Sequence, residues 1–353
     1  MRASPLVRSS FAVYVVLVAY VSLYPLTGWR DRGLSPFAYL VAPPPRFITT
    51  FDLVANLVGY VPYGLLCVLA MHPRLRGTRA LAACAASGAL LSICLEALQS
   101  YIPGRFASNV DALCNLGGTL IGAVLGTQLA PRMLGTGRLH ELRTALFLPG
   151  TAADLGLVLL GLWLFTQLDP TTLLFGTGDL RNLLGETGGA LHAPALFMSV
   201  EALTSAANLV AATLLLSVIA TPASPARLMA VTLVAAALAT KTAAFAILLR
   251  AEHVLAWLTP GAWQGLAAGA AAALAAVTLP RTVRLVLATV LLMGATVLVN
   301  LSPPNPYLAA TLTVWQQGHF LNFNGLTRLV STIWPFAALG YLTWLATRRG
   351  ALG

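Results

Sequence analysis

The chain has 353 residues, of which 58% are apolar and only 9% are charged, and its mean hydropathy is +0.81. This composition, with repeated apolar runs of about 20 residues, argues against a soluble core and predicts an all-α, polytopic transmembrane helical bundle. The formal net charge of +10 does not indicate a nucleic-acid partner, because the basic residues lie mostly in short segments between apolar runs.

Apolar runs divide the chain into about ten predicted membrane spans. In chain order they cover residues 9–28, 51–71, 78–101, 108–130, 151–168, 197–220, 226–249, 254–279, 282–301 and 327–347. The first run follows Arg2 and Arg8, as a signal peptide would. It is longer than the usual apolar core of such a peptide and lacks a small-x-small cleavage site, so we interpret it as an uncleaved helix.

The loop charges predict the orientation of these spans. With a cytoplasmic N-terminus, most Lys and Arg residues fall in cytoplasmic segments and the C-terminus is cytoplasmic as well. The third span then runs outward and the fourth runs inward. We therefore expect the polar hairpin at residues 96–115, with Pro103 and Gly104 as its turn, to face the outer side of the membrane.

The second and fourth spans open with related sequences. Residues 49–59 read TTFDLVANLVG and residues 108–118 read SNVDALCNLGG, which share the pattern S/T-x-x-D-x-x-x-N-L-x-G. Spans one and two are therefore candidates for a helical hairpin that is repeated in spans three and four. A fainter echo of the pattern occurs in TSAANLVA at residues 204–211.

The polar residues of this pattern have a structural as well as a functional interpretation. Each repeat pairs a hydroxyl with an aspartate at helix N-cap spacing, namely Thr49 with Asp52 and Ser108 with Asp111. Asn56 and Asn115 lie one turn deeper, on the same helix face as the aspartates. A buried amide in a bilayer needs a partner on a neighbouring helix or a polar cavity, so the matched pair favours a shared site.

Glu96 is the polar residue that the needs of folding explain least. It lies near the C-terminal end of the third span, where the helix dipole disfavours a carboxylate, and its sequence neighbours are apolar. An ionisable side chain at that depth marks a candidate functional site. Gln99 lies three residues later on the same face, and Arg105 follows the turn, where it is able to pair with a carboxylate or receive an anionic group such as a phosphate.

These residues together resemble a known family. The matching features are Asp52 and Asn56 followed by Pro62 and Gly64, Glu96-x-x-Gln99, Arg105, and Asp111-x-x-x-Asn115-x-x-Gly118 with Gly122 and Gly126. In this combination, residues from about 12 to 130 resemble the VanZ-like membrane family, which is named for a protein of glycopeptide-resistance clusters linked to lowered teicoplanin sensitivity. The resemblance implies a multi-pass protein of the bacterial inner membrane connected with the envelope, and it supplies no reaction. It divides the chain into a four-helix domain at residues 1–135 and a six-span region at residues 145–353.

Several other features indicate packing rather than chemistry. Gly118, Gly122 and Gly126 form a small-xxx-small face that permits close helix approach. The cysteines lie within apolar runs without a CxxC pair, and the histidines are scattered in loops. Because no nucleophile elbow, P-loop, dinucleotide fingerprint or zinc signature occurs, the sequence predicts no cofactor and no metal site.

The C-terminal spans contain two secondary candidates. Lys241 lies inside the seventh span and Glu201 opens the sixth. A lysine at that depth either snorkels or pairs. We therefore consider an ion pair between these two residues and, as the alternative, contact of Lys241 with lipid phosphate.

Two functional hypotheses and one structural hypothesis follow. In the first, an outer-facing cluster binds the polar head of an envelope lipid or glycan precursor; it consists of Asp52, Asn56, Glu96, Gln99, Arg105, Asp111 and Asn115. In the second, Glu96 and one aspartate act in an intramembrane enzyme on a lipid-linked substrate, as general acid and base or as ligands of a divalent cation. In the third, the polar residues only hold helices together. The lack of a nucleophile or metal motif favours binding; the expected partners are membrane lipids, and the oligomeric state stays open.

Overall fold

A computed structural model describes residues 4–33, 35–44, 49–134, 137–181, 194–248, 254–302 and 317–347. Helices dominate this part of the chain, with a single isolated β-bridge between Phe147 and Ala220 among the described residues. The all-α prediction is confirmed. The chain divides into two compact units, Met1–Ala145 and Leu146–Gly353, each of which is described by itself.

Helices α1 to α5 belong to the first unit and lead into the second. They are α1 Pro5–Leu23, α2 Thr50–Met71, α3 Gly77–Gln99, α4 Asn109–Leu134 and α5 Arg138–Leu146, with a short 3-10 helix at Ala38–Leu40. The first four are long and apolar enough to cross a membrane. Proline accounts for the limits of α1, because Pro5 fits the first helical turn and Pro25 cannot continue the helix.

The second unit contains helices α6 to α11. They are α6 Thr151–Thr166, α7 Pro194–Ile219, α8 Ala226–Leu248, α9 Pro260–Ala276, α10 Arg281–Leu301 and α11 Gln317–Thr347. α6 and α9 have only 16 and 17 residues, which corresponds to a rise of about 24 to 26 Å against a hydrocarbon core of about 30 Å. The described residues therefore hold 8 candidate spans, where the sequence predicts about ten. α9 is shorter than predicted because Thr259 caps it, so that residues 254–258 lie outside the helix.

α2 and α4 approach each other closely in the first unit. A Cβ added at Gly118 or Gly122 would overlap backbone carbonyls of α2, and one added at Gly64 would overlap the Thr119 carbonyl of α4. The predicted small-xxx-small face is therefore confirmed. This close approach brings the polar faces of the two helices together.

Pro62 lies inside α2 without ending it. A proline in a helix removes a backbone donor and leaves carbonyls of the preceding turn without their usual partner. The hydroxyl of Tyr14 in α1 donates to the carbonyl of Gly59 at 2.6 Å. α1 thus supplies a donor to the part of α2 that the proline weakens.

α7 is the most enclosed candidate span among the described residues. Of its most apolar window, 78% is buried, against 11% for α1. Gly265 and Gly269 of α9 pack directly on the α7 backbone, and Trp163 and Phe175 stack beside it with ring centroids 5.5 Å apart. The core of the second unit is therefore built around α7.

Candidate functional site

Three helices of the first unit bring polar side chains to one end of the helix bundle. On each helix these residues follow one another at four-residue intervals, so they share a face. We call this group the polar column; it consists of Asp52, Asn56 and Tyr60 on α2, Ser92 and Glu96 on α3, and Asp111, Asn115 and Thr119 on α4. Exposure falls along it, since Asp52 is exposed, Asp111 is half-buried and Tyr60 is buried.

Helix packing closes the deep end of the polar column. A Cβ at Gly118 would lie 3.1 Å from the Cβ of Tyr60, which places the α2 and α4 rows side by side. A Cβ at Gly88 of α3 would lie 2.6 Å from the side chain of Thr119. The column is therefore accessible from its Asp52 end, and its other end is filled by packed helices.

Both predicted N-caps are confirmed. The Thr49 hydroxyl accepts from the Asp52 N–H at 3.1 Å and donates to the Asp52 carboxylate at 2.6 Å. The Ser108 hydroxyl accepts from the N–H groups of Val110 and Asp111 at 3.2 and 3.3 Å. The two caps differ in one respect, because the Asp52 carboxylate is used by its own cap. The Asp111 carboxylate instead lies within electrostatic reach of Asp52, Arg105 and the Asn56 amide.

Glu96 has a structural role that the sequence did not indicate. Its side chain is 4% exposed, and its Oε2 atom accepts the backbone N–H of Ser108 at 2.9 Å. In a reciprocal capping box the third helical residue, here Asp111, would accept that N–H. The expectation that folding does not use Glu96 is therefore wrong for one of its oxygens. The Oε1 atom accepts no hydrogen bond from the described residues.

Two deeper atoms of the polar column also lack partners among the described residues. They are the Oδ1 atom of Asn115 and the hydroxyl of Tyr60, both buried. The Ser92 hydroxyl is the polar neighbour of the Tyr60 hydroxyl, but the two form no hydrogen bond within 3.5 Å. The Asn115 amide nitrogen does have a partner, the Ser92 hydroxyl at 2.9 Å. Leaving a buried polar atom unpaired costs roughly 1–3 kcal/mol, so the column has hydrogen-bonding capacity that helix packing does not use.

Arg105 lies at the mouth of the polar column, half-buried, with Nη2 3.4 Å from the Tyr24 carbonyl. It forms no ion pair within 4.0 Å with Glu96 or Asp111 in the described ranges. Burial lowers the pKa of the Arg105 guanidinium, and the attraction of both carboxylates opposes that shift. The guanidinium remains charged and has unused donors directed at neither acid.

Gln99 lies beside the polar column rather than inside it. Its amide nitrogen donates to the Ser22 carbonyl at 2.8 Å, which ties the end of α3 to the end of α1. Gln99 follows Glu96 on α3 at the predicted three-residue spacing. Its amide N–H, however, bonds α1 and does not point into the polar column.

The two secondary candidates of the second unit do not pair with each other. Lys241 is 1% exposed, and its Nζ donates to the carbonyls of Asp169 and Thr172 at 2.6 and 3.1 Å and to the Thr172 hydroxyl at 3.2 Å. Glu201 accepts from the Thr259 hydroxyl at 2.7 Å, at the N-terminus of α9. Both the predicted ion pair and the lipid contact of Lys241 are wrong, because backbone carbonyls satisfy the ammonium group inside the unit.

The partners of Lys241 belong to a non-helical stretch, residues 167–180, which we call the buried segment. Asn300 clamps it: its Oδ1 accepts the Leu180 N–H at 2.8 Å and its Nδ2 donates to the Gly178 carbonyl at 2.7 Å. The sequence prediction assigned this stretch to an outer loop. Irregular backbone among membrane helices is tolerated where protein groups satisfy it. The signal for such a case was the apolar run at residues 173–175, which a proline precedes and two glycines follow.

Asn208 is a further contact of the buried segment that the sequence reasoning left undecided. It accepts from the Thr177 hydroxyl at 3.4 Å and donates to the Thr204 carbonyl at 3.0 Å. It lies in the faint echo of the repeat at residues 204–211, so that echo does coincide with a buried, hydrogen-bonded amide.

The carboxylates of the first unit do not converge as a metal-ligand set. Within the described ranges, no group of three or more His, Cys, Asp or Glu side chains is arranged to hold a metal ion. The form of the enzyme hypothesis in which these acids share a divalent cation gains no support from this arrangement.

A comparison with protein families identifies one match. Residues 11–130 match the family model described as VanZ/LLP1. No curated protein and no solved structure matches the chain. The matched range contains the whole polar column, and the resemblance predicted over residues 12–130 is confirmed, whereas the second unit lies outside the match.

Proposed function

We propose that this VanZ-like, multi-pass membrane protein uses its polar column to bind the polar head group of an envelope lipid or glycan precursor. The observation that carries the proposal is a set of three oxygens without partners among the described residues: Glu96 Oε1, Tyr60 Oη and Asn115 Oδ1. Helix packing leaves the hydrogen-bonding capacity of these atoms unused. Because the Tyr60 hydroxyl and Asn115 Oδ1 are buried, a ligand group reaches them only when the Asp52 end of the polar column opens.

The unpaired atoms indicate the chemistry of that ligand. Glu96 Oε1 and Asn115 Oδ1 are acceptors, and the Tyr60 hydroxyl both donates and accepts. Hydroxyl or amino groups of a sugar, polyol or amino-acid head group would satisfy them. Arg105 at the mouth supplies donors for a phosphate or another anionic group. The combination favours a ligand with an anionic group outside and hydrogen-bond donors inside.

The position of the mouth supports a ligand that reaches the site from the membrane surface. The polar column opens where α2 and α4 begin and α3 ends, which is the depth of lipid head groups for helices that span a bilayer. The loop charges predict that this end faces outward. In the bacterial inner membrane, it would then face the compartment that contains envelope precursors.

Substitutions in a complemented deletion strain test the proposal. Glu96→Gln keeps an oxygen for the Ser108 N–H but removes the charge, and Asp111→Asn does the same at the mouth. Asp31→Asn is the matched control, because this carboxylate is exposed, accepts the Gly33 N–H and lies outside the polar column. We expect altered sensitivity to envelope antibiotics at normal membrane abundance for the first two variants. Loss of abundance that parallels the loss of function would instead support a scaffold.

A direct assay separates binding from catalysis. Purified protein in lipid nanodiscs is incubated with a radiolabelled, polyprenyl-phosphate-linked sugar, and both retention and chemical conversion are followed. Retention without conversion, weakened by Glu96→Gln, supports the proposal. Conversion that depends on Glu96 would favour the enzyme hypothesis, and absence of retention for the wild-type protein would contradict both.

A further inference from the structure

We infer that the first unit has a second ligand site, at the end opposite the polar column, and that it binds the phosphate of an anionic phospholipid. The site is a groove of about 230 Å³ lined by Arg8, Ala70, Met71, Arg74 and Leu75. Arg8 belongs to the start of α1, Ala70 and Met71 belong to the last turn of α2, and Arg74 and Leu75 belong to the turn after α2.

Both guanidinium groups of the groove are available to a ligand. The side chains of Arg8 and Arg74 form no hydrogen bond or ion pair with the described residues. The neighbouring Arg76 differs, since its Nε donates to the Pro73 carbonyl at 3.3 Å. A phosphate accepts hydrogen bonds from two guanidinium forks more strongly than from two point charges. Two guanidinium groups that have no partner among the described residues and line one groove therefore indicate a phosphate-sized anion.

The first four helices place no acidic side chain beside the groove; the remaining acid of the first unit is Glu141 of α5. The acidic side chains of the first four helices and their connections are Asp31, Asp52, Glu96 and Asp111. They belong to the opposite end of the helices, where α1 and α3 end and α2 and α4 begin. An anion at the groove is thus attracted by the arginines without facing a carboxylate of these four helices.

The apolar residues that line the groove favour a phospholipid over a free anion. Ala70, Met71 and Leu75 supply apolar surface, and Ala70 packs against a small core formed by Val7 and Leu69 with Ala130. An apolar floor beside two cations at the ends of membrane helices matches the acyl chain and phosphate of a phospholipid. Inorganic phosphate would gain nothing from the apolar surface.

The test uses the full chain in phosphatidylcholine nanodiscs that contain a minor fraction of spin-labelled phosphatidylglycerol. The double variant R8Q/R74Q removes both groove arginines. The double variant R76Q/R79Q removes the same charge from the same end of the unit without touching the groove, and it serves as the matched control. Because R8Q/R74Q removes both guanidinium groups of the groove, we expect immobilised phosphatidylglycerol to fall on the order of tenfold in that variant. The loss should be much smaller in the control, which removes only general attraction to the anionic surface.

Several results would overturn the inference. Equal losses in the two double variants would show diffuse attraction rather than a site. Displacement of the labelled lipid by millimolar inorganic phosphate would assign the groove to a free anion. Equal retention of phosphatidylglycerol and phosphatidylcholine by the wild-type protein would show that the groove has no preference for an anionic head group.

A second variant covers the case in which the glutamine variant does not fold. R8K/R74K keeps the charge but cannot bind two phosphate oxygens through one planar fork, so a loss of severalfold is expected. Unchanged retention in a folded R8K/R74K protein would contradict the assignment to guanidinium groups. A loss of phosphatidylglycerol retention in Glu96→Gln that R8Q/R74Q does not share would place the retained lipid in the polar column and contradict the groove. The proposed function has its own assay, with the polyprenyl-phosphate-linked sugar, so the two fail independently.

Discussion

In the first unit, Tyr60 and Asn115 keep buried atoms without partners in the described ranges, whereas in the second unit Lys241 directs its ammonium group to three oxygens of the buried segment. The polar column contains more hydrogen-bonding capacity than its helices need. The side chains around the buried segment instead replace the bonds that the backbone loses where it leaves the helix. Polar residues of one kind thus complete the fold, and those of the other kind keep hydrogen-bonding capacity that the fold does not use.

The two regions also differ in what lies next to their unpaired atoms, which are buried in both. The second unit also contains unpaired buried atoms, among them Asp169 Oδ2, Glu201 Oε2 and the hydroxyls of Thr204 and Ser205. These four residues are between 0% and 2% exposed, and ordered water is the usual partner of such atoms. In the polar column, exposure rises from Tyr60 to Asp52. Spare atoms that lie below an opening are the ones that indicate a binding site.

The largest expected effect concerns the buried segment and the lysine that bonds it. Lys241→Met removes the donor from two buried carbonyls, so the free energy of unfolding should fall by about 3 kcal/mol or more. Chemical denaturation of the purified protein in mild detergent measures it. Thr240→Val is the control, because Thr240 is half-buried and its hydroxyl bonds within its own helix. A Lys241→Met protein as stable as the control would show that the segment is held by other contacts.

Close packing of α2 on α4 provides the next test. The added methyl of Gly122→Ala would overlap the Val61 carbonyl, so the unfolding free energy should fall by about 1–3 kcal/mol and the two rows of the polar column should separate. Gly59→Ala places a methyl in open space and should be neutral or slightly stabilising. Equal effects of the two variants on denaturation and ligand retention would remove the packing explanation.

The two repeats give a smaller and more specific difference. Asp111→Asn should weaken retention of the polyprenyl-phosphate-linked sugar by about tenfold, because a hydrogen bond to a charged group contributes about 1.5–3 kcal/mol. Asp52→Asn, at the equivalent position of the other repeat, should change it little. The nanodisc retention assay measures both. If Asp52→Asn were the more damaging of the two, the functional carboxylate would belong to α2.

The smallest expected effect is the most diagnostic of a site. Tyr60→Phe removes a hydroxyl that has no partner among the described residues, so stability should be unchanged or slightly higher while ligand retention falls severalfold. Tyr14→Phe removes a hydroxyl that is bonded to the Gly59 carbonyl and should lower the unfolding free energy by about 1 kcal/mol. Thermal unfolding and retention, measured on both variants, distinguish them. A destabilised Tyr60→Phe protein would mean that the hydroxyl serves the fold.

Local patterns were sufficient for the elements and for the family. Apolar runs predict the long helices, because about 20 consecutive apolar residues form a helix that spans the hydrocarbon core of a bilayer. Threonine and serine at N-cap spacing predict the starts of α2 and α4, and a four-residue glycine repeat predicts the face of α4 that packs on α2. Each of these signals lies within a single turn or a single helix, so the sequence contains all of it.

The tertiary structure decided which polar atoms are used. The bond from the Ser108 N–H to Glu96 joins different helices, and the bond from Lys241 to Asp169 joins residues 72 positions apart in the chain. Hydrogen-bond partners at such separations depend on how helices pack, and periodicity within one helix carries no information about them. For the same reason the sequence indicated that Glu96, Lys241 and Asn115 are unusual. Only the folded arrangement separated Lys241, whose ammonium group bonds the buried segment, from Glu96 and Asn115, which each keep an oxygen without a partner among the described residues.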